Sequence, residues 1–135
     1  MIKLYLDIDG VLLTAKNTKV APNGIAFLDH IIPKFDCYWL TTHCRDGSNA
    51  AVMDRMSKYY PEQIIKKLQS VKPVKWNTLK TEAIDFDSSF FWIDDYVFEA
   101  EKKILKQRGC MNKLLLVDLN RENELLRICS DYLLM

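Results

Sequence analysis

Two aspartates stand at the end of an apolar run near the start of the chain. The stretch LYLDIDGVLL places Asp7 and Asp9 after residues typical of a buried strand, directly before Gly10. A carboxylate held on a rigid strand can attack phosphorus, and a second one close by can donate and accept protons. Positions seven and nine of an extended strand point the same way, although the turn at Gly10 is expected to re-aim the second. The pair is therefore a candidate for nucleophilic and acid–base chemistry.

Polar residues also end two later apolar runs. FDCYWLTT ends in Thr41 and Thr42, and SFFWIDDY contains the adjacent acids Asp94 and Asp95. Each acid could merely cap the following turn. As a set, however, carboxylates within a few ångströms repel unless a cation neutralises them, and carboxylate oxygens are ligands that Mg²⁺ prefers. Because functional crevices lie outside the carboxyl ends of parallel strands, the sequence predicts a magnesium site there.

In this order the motifs resemble those of the haloacid dehalogenase (HAD) superfamily. DIDGVLL resembles its first motif, YWLTT its second, a lysine before WIDD its third and the WIDD acids its fourth. The resemblance implies that Asp7 is a nucleophile that forms an aspartyl phosphate and that Asp9 is the general acid and base. It also implies that Asp9 offers the metal its backbone carbonyl while its side chain stays free. The implied Mg²⁺ ligands are Asp7, Asp9, Asp94 and Asp95.

Phosphate binding is predicted for Thr41, Thr42, Gly10 and a lysine. Thr41 is expected to hydrogen-bond a phosphoryl oxygen, although on its own it reads as an ordinary β-branched strand residue. VKWNTLKTEAI offers two lysines, Lys75 and Lys80. Lys80 is preferred because TLKTEAI resembles the start of a helix whose first turn can face the site, and Lys75 stays the alternative. Either would neutralise charge on the nucleophile and the phosphoryl oxygens.

The segment after Thr41 departs from the family pattern. Many members carry a small residue or asparagine there, whereas this chain has Thr42 and His43. His43 and Arg45 are candidates for substrate contact, with ordinary loop residues as the alternative. His43 beside Cys44 could suggest zinc, but the cysteines lack the paired spacing of structural zinc sites. Reduced thiols are expected instead.

Strand-like and helix-like segments alternate along the chain and would carry these residues. The strand candidates are IKLYLDI, FDCYWLTT, a weak QSVKPV, SFFWID and KLLLVDL, mostly continuous apolar runs as in parallel strands covered on both faces. Helical periodicity marks five segments: PNGIAFLDHIIPKF, a segment from Ser48 or Asn49 onward, PEQIIKKLQ, YVFEAEKKILKQRG and NRENELLRICSDYLL. Ile25 and Ile31 are expected to face inward in the first of these, and Tyr132 in the last. The pattern predicts an α/β, three-layer Rossmann-like fold: a mostly parallel five-stranded sheet with helices on both faces.

Composition fits one domain over residues 1–135. The chain has 49% apolar and 27% charged residues, and its 19 basic side chains nearly cancel its 18 acidic ones, so net charge recruits neither nucleic acid nor membrane. We see no signal peptide and no membrane span, and we expect a cytoplasmic location.

No room for a cap domain is found at either point where large caps enter HAD proteins. Only TAKNTKVAPNG separates Leu13 from the first helix, and helix and a short strand fill the stretch from Thr42 to Lys75. An uncapped site is open to bulky phosphorylated substrates, such as a phosphoprotein side chain or a nucleic-acid end, and small esters also fit. A protein partner could serve as a substitute cap.

The predicted function is that of a magnesium-dependent phosphate monoester phosphatase. DIDGVLL, WLTT and FFWIDD also resemble small uncapped HAD domains associated with RNA repair. Two alternatives stay open. One is a receiver-like phosphoacceptor signalling domain, although receiver domains lack the DxDG turn and carry their acids in a different order along the chain. The other is a catalytically silent HAD-like scaffold that binds phosphate or a partner.

Overall fold

The computed structural model describes residues 1–134 and contains five strands and five α-helices. The strands are β1 (Lys3–Leu6), β2 (Asp36–Trp39), β3 (Lys72–Pro73), β4 (Phe90–Asp94) and β5 (Leu114–Leu116). The helices are α1 (Gly24–Ile31), α2 (Ala50–Ser57), α3 (Glu62–Leu68), α4 (Glu99–Gln107) and α5 (Glu124–Tyr132). Short 3-10 turns span Thr42–Cys44, Lys80–Ala83 and Met111–Lys113. None of the helices in residues 1–134 is long and apolar enough to cross a bilayer.

All five strands form one sheet in the order β3-β2-β1-β4-β5, and every neighbouring pair is parallel. The chain therefore starts at the centre of the sheet, builds outward to β3, and then crosses back to the other side of β1. This is the Rossmann order, which differs from the flavodoxin-like order 2-1-3-4-5 of receiver domains. The α/β, three-layer prediction is confirmed, and the sheet is parallel throughout.

Alternating side chains of β1 pack into the two layers of the core. Leu4 and Leu6 belong to the larger apolar cluster, which includes side chains from α1, α2, α3 and α5. Tyr5 belongs to the smaller cluster on the other face, together with Trp92 and Leu105, the latter from α4. Because helices cover both faces, β1 is apolar and buried from Leu4 to Leu6, as the continuous LYL run predicted.

Two predicted inward-facing residues are instead exposed. Ile25 has a 40% exposed side chain, because α1 turns Phe27 and Ile31 toward the sheet and leaves Ile25 on the outer side. Tyr132 is 48% exposed because it is the last residue of α5, and Leu133 takes the buried position next to it. Both predictions were wrong for a residue near an end of a helix, where the periodicity is least constrained, although Ile31, predicted on the same face as Ile25, is buried.

The four cysteines form no disulfide and are held as thiols. Cys37, Cys44 and Cys129 are buried, and Cys110 is half-buried. Burial raises the pKa of each thiol, to about 12 for Cys37. The expectation of reduced, partly buried cysteines is confirmed.

Candidate active site

Strand register brings the predicted site residues to one edge of the sheet. Leu6 of β1 lies opposite Trp39 of β2 and Ile93 of β4, so the residues that follow these three emerge together. The Asp7 backbone N–H donates to the Ile93 carbonyl at 3.0 Å, which ties the end of β1 to the end of β4. Because the strand order reverses between β1 and β4, Asp7 and Asp94 flank the switch point where open α/β sheets bind ligands.

Three carboxylates and one ammonium meet there. One oxygen atom from each of Asp7, Asp94 and Asp95 lies within 4.8 Å of the others, and we call this set the acidic cluster. Lys80 Nζ lies 2.7 Å from Asp94 Oδ2 and 3.3 Å from Asp7 Oδ2. The Asp94 side chain is 1% exposed, that of Asp7 12% and that of Lys80 13%. Lys80 thus bridges the ends of β1 and β4 beneath the surface.

Burial governs the electrostatics of the acidic cluster. Desolvation, and next the charge of Asp94, raise the pKa of Asp7 to about 7, against the opposing effect of Lys80. Burial also raises the pKa values of Asp94 and Asp95. Although burial lowers the pKa of Lys80, the charges of Asp7 and Asp94 outweigh that effect and raise it. Three acids thus share one compensating lysine.

The Asp94 carboxylate is held by four hydrogen-bond donors, a set that was not predicted from the sequence. Its Oδ1 accepts the backbone N–H groups of Asp95 at 2.8 Å and Tyr96 at 3.2 Å. Its Oδ2 accepts the indole N–H of Trp92 at 3.2 Å as well as Lys80. The alternation of β4 places residues 92 and 94 on one face, so the spacing WxD was the available signal.

The turn that carries Lys80 is held by two glutamates. The Glu101 carboxylate is 2% exposed and accepts the backbone N–H groups of Lys80 at 2.7 Å and Phe98 at 3.0 Å. The Glu82 carboxylate accepts backbone N–H groups that precede the turn, including that of Leu79 at 3.0 Å. Glutamate at the third helical position is a capping signal, so the spacing of Glu82 and Glu101 was the available signal in the sequence. These bonds aim Lys80 at the acidic cluster.

Lys75, the alternative lysine, does not contact the acidic cluster. Its side chain is exposed and lines an adjoining cavity, while its backbone bridges to Asp46. The preference for Lys80 over Lys75 therefore agrees with where the two side chains lie.

Asp9 lies outside the acidic cluster and has partners of its own. Its Oδ1 accepts from Arg55 Nη2 at 2.7 Å, and its Oδ2 lies 2.8 Å from His43 Nε2. The Asp9 side chain thus lies away from the acidic cluster but is not without partners, because α2 delivers Arg55 to it across 46 positions of sequence. Although burial opposes it, hydrogen bonds from His43 and Arg55 lower the pKa of Asp9. No local pattern in the sequence marks Arg55 for this contact.

Gly10 is required where it stands. Its φ is +82°, a left-handed conformation that favours glycine, and a Cβ there would overlap the carboxylate of Asp95. The turn that re-aims Asp9 therefore also lets Asp95 approach the backbone.

The two threonines after β2 occupy different environments. Thr41 is 1% exposed, and its hydroxyl oxygen accepts the backbone N–H of His43 at 3.4 Å. Thr42 is exposed and lines the cavity above the acidic cluster. Of the two predicted phosphate-binding threonines, Thr42 is thus the one that reaches the open space.

An open cavity of about 260 Å³ lies over the acidic cluster. Its lining includes Arg45, Trp76, Tyr96 and Phe98. The latter two rings are 67% and 54% exposed and pack edge to face, with centroids 5.5 Å apart. The reacting end of a substrate could thus enter a cavity lined by basic and aromatic side chains.

The chemistry of the donors fits a hard divalent cation. Within residues 1–134, Asp7, Asp94 and Asp95 form the only group of three or more His, Cys, Asp or Glu side chains close enough to share a metal ion. His43 and Cys44 belong to no such group: His43 binds Asp9, and the Cys44 thiol is buried against the Trp39 carbonyl. Carboxylate oxygens in excess of positive charge suit Mg²⁺, so the acidic cluster could hold it.

The raised pKa of Asp7 predicts how the metal-free protein responds to pH. The pKa rises from the ordinary 3.8 to about 7 on folding, so the unfolded chain loses this proton first as the pH rises. The free energy of unfolding should therefore fall between about pH 4 and pH 8, by at most about 4 kcal/mol from Asp7. Urea unfolding with a chelator, at several pH values, measures it. Asp7→Asn should abolish this component; identical pH profiles for the two proteins would contradict the assignment.

Comparisons of the chain with protein-family models, with curated proteins and with solved structures found no match. The functional argument therefore depends on the motifs and on the geometry of the acidic cluster.

Proposed function

We propose that the protein is a magnesium-dependent phosphohydrolase of the HAD type, which cleaves phosphate monoesters through an aspartyl phosphate on Asp7. The observation that carries the proposal is the contact of Lys80 with both Asp7 and Asp94 at the switch point of the sheet. One crevice thus holds a nucleophile in Asp7, a positive charge for the phosphoryl oxygens in Lys80, and metal ligands in the two strand-end acids.

In the first step, an Asp7 carboxylate oxygen attacks phosphorus, and the bond from phosphorus to the leaving oxygen breaks. Lys80 stabilises the charge that develops on the phosphoryl oxygens, and it already lies against the nucleophile, so little reorganisation is needed. The leaving oxygen takes a proton from Asp9. The entering phosphate favours protonated Asp9, because nearby negative charge raises the pKa of a carboxyl group.

In the second step, ionised Asp9 takes a proton from a water molecule that attacks the phosphorus of the aspartyl phosphate. The lowered pKa of Asp9 favours this basic form. Hydrolysis releases inorganic phosphate and regenerates Asp7. Arg55 and His43 hold the Asp9 side chain during both steps.

When bound, Mg²⁺ would supply Lewis-acid neutralisation of the phosphoryl oxygens. The residues that would hold it are Asp7, Asp94 and Asp95, with the backbone carbonyl of Asp9 as the further ligand implied by the HAD resemblance. Asp94 is fixed by its neighbours, whereas Asp95 is exposed toward solvent.

The open cavity supports a bulky substrate. Residues 1–134 contain no cap domain, because the segment from Thr42 to Lys75 is filled by α2, α3 and β3. We propose a phosphorylated substrate that enters from solvent, whether a small ester, a phosphoprotein side chain or a nucleic-acid end, and a protein partner could cover the site.

Between the remaining alternatives, the receiver-like one has less support, because the strand order differs from that of receiver domains. A silent scaffold would keep the acidic cluster without turnover, and only an activity measurement separates it from the enzyme.

The test is hydrolysis of an aryl phosphate by the purified chain with Mg²⁺, with a chelator, and after Mg²⁺ is restored. We expect phosphate release that depends on Mg²⁺ and recovers on its return. Thermal unfolding, followed in parallel, should show stabilisation by Mg²⁺ at about pH 8, since binding to the folded state shifts the equilibrium. If the protein is folded and stabilised by Mg²⁺ but releases no phosphate, the enzyme proposal fails and the scaffold alternative takes its place.

Loss of Arg55 should impair acid–base catalysis by Asp9 without weakening the binding of Mg²⁺. Arg55→Met removes a charge-assisted hydrogen bond worth about 1.5–3 kcal/mol, so we expect kcat/KM to fall by about 10- to 100-fold while stabilisation by Mg²⁺ persists. Lys58→Met, at the residue directly after the same helix and with a side chain that is 64% exposed, is the matched control and should keep wild-type kinetics. An Arg55→Met enzyme with wild-type kcat/KM would refute the role of this contact.

A further inference from the structure

A second cavity, of about 540 Å³, opens beside the acidic cluster, and we call it the basic cavity. Its walls include Thr42, His43, Arg45, Lys75 and Trp76. We propose that the basic cavity binds a second anionic group of the substrate, so that the preferred substrate is a phosphate monoester whose leaving group carries a further phosphate. The inference rests on the proposed function and names its substrate class.

The basic cavity is continuous with the reacting end of the site. Thr42, Arg45 and Trp76 line both it and the cavity above the acidic cluster. A leaving group bonded to a phosphoryl group at Asp7 can therefore extend past Arg45 into the basic cavity. His43 lines the basic cavity, and its Nε2 lies 2.8 Å from Asp9 Oδ2.

The Arg45 side chain lies against Trp76 before any substrate arrives. Its guanidinium stacks over the Trp76 ring, 4.3 Å from the ring centroid. The Trp76 backbone N–H donates to the Arg45 carbonyl at 3.0 Å, and the indole N–H of Trp76 donates to the Thr41 carbonyl at 3.2 Å. Stacking uses the face of the guanidinium and leaves its N–H edge available, which suits bidentate recognition of phosphate.

The positive charge of the basic cavity is only partly offset by the acids around it, Asp46 and Glu82. Across the described part of the chain, neither Arg45 nor Lys75 forms an ion pair. Asp46, the acid in the wall, accepts the backbone N–H of Ser48 at 2.9 Å. Glu82, whose pKa Arg45 helps to lower, is occupied by the backbone N–H groups before the Lys80 turn. Two unpaired cations beside a phosphoryl site favour a substrate with a second negative group.

The test compares matched substrates at one ionic strength. The pair is propanediol monophosphate and propanediol bisphosphate, and a dinucleotide with a terminal phosphate supplies a phosphodiester as the second anion. We expect kcat/KM for the bisphosphate to exceed that for the monophosphate by about tenfold, chiefly through KM, as for a charge-assisted contact. The dinucleotide arm shows whether a phosphodiester serves as well as a free phosphate.

Variants show which side chains cause the preference for the bisphosphate. Arg45→Met should reduce the ratio of the two kcat/KM values to about twofold, and Lys75→Met should reduce it partly. Lys103→Met, an exposed lysine of α4, is the matched control and should keep the full ratio. Equal kcat/KM for the two substrates in the wild type, or an unchanged ratio in Arg45→Met, would overturn the proposal.

A binding measurement separates this inference from the proposed function. Titration calorimetry with Mg²⁺ and the Asp7→Asn variant measures affinity for the bisphosphate and the monophosphate without turnover. We expect the bisphosphate to bind about tenfold more tightly, and the additional Arg45→Met change to remove the difference. If the wild type proves inactive but this difference holds, the enzyme proposal fails and the basic cavity stands. Equal affinities would refute the basic cavity even in an active enzyme.

Discussion

The Asp7→Asn protein is expected to lose Mg²⁺-dependent hydrolysis of an aryl phosphate by at least about 10⁴-fold, because the side-chain amide cannot form the aspartyl phosphate, which is an acyl phosphate. The substitution preserves shape and removes one of the three carboxyl groups of the acidic cluster, so the protein should fold. The measurement is the initial rate of phosphate release under saturating Mg²⁺, with the thermal unfolding midpoint as the check on folding.

The matched control for Asp7→Asn is Asp87→Asn. Asp87 is exposed and lies in the loop before β4, at the end of the strand away from the acidic cluster. This variant should hydrolyse the substrate at the wild-type rate. Residual activity of a folded Asp7→Asn protein within about tenfold of the wild type would exclude Asp7 as the nucleophile.

The Asp9→Asn protein is expected to hydrolyse aryl phosphates about 10²- to 10⁴-fold more slowly, since it removes the acid and base of both steps. The effect should depend on the leaving group. Poor leaving groups need the proton most, so the loss should be larger for an alkyl phosphate than for an aryl phosphate with an acidic phenol.

Rates for a series of phosphate esters with leaving groups of increasing pKa measure this dependence. The plot of log kcat/KM against leaving-group pKa should be steeper for Asp9→Asn than for the wild type, while Mg²⁺ still stabilises both proteins. Parallel plots would mean that Asp9 does not protonate the leaving oxygen.

The strand ends of the site could be predicted because they follow from local pattern and one topological rule. Asp7 and Asp94 end continuous apolar runs, and parallel strands carry such ends to a common edge. The choice of Lys80 over Lys75 rested on a helix-like start, and the structure finds a short 3-10 turn there whose direction Glu101 sets.

The partners of Asp9 could not be predicted in the same way. Arg55 reaches Asp9 from α2, and the length and tilt of that helix depend on packing of Val52 and Met56 in the core. Contacts of this kind join distant segments, and no periodicity or spacing in the sequence encodes them. The contact of Arg45 with the Trp76 ring could not be predicted from the sequence for the same reason.

The central claim is that catalysis passes through a phosphoryl group bonded to Asp7. Rapid quenching of the Asp9→Asn protein with an aryl phosphate and Mg²⁺, followed by mass spectrometry of the intact chain and its peptides, tests it most directly. We predict that one phosphoryl group is added per chain, on the peptide that contains Asp7, and that it is absent from an Asp7→Asn, Asp9→Asn double variant. Turnover without any phosphorylated chain, or a phosphoryl group on another residue, would contradict it.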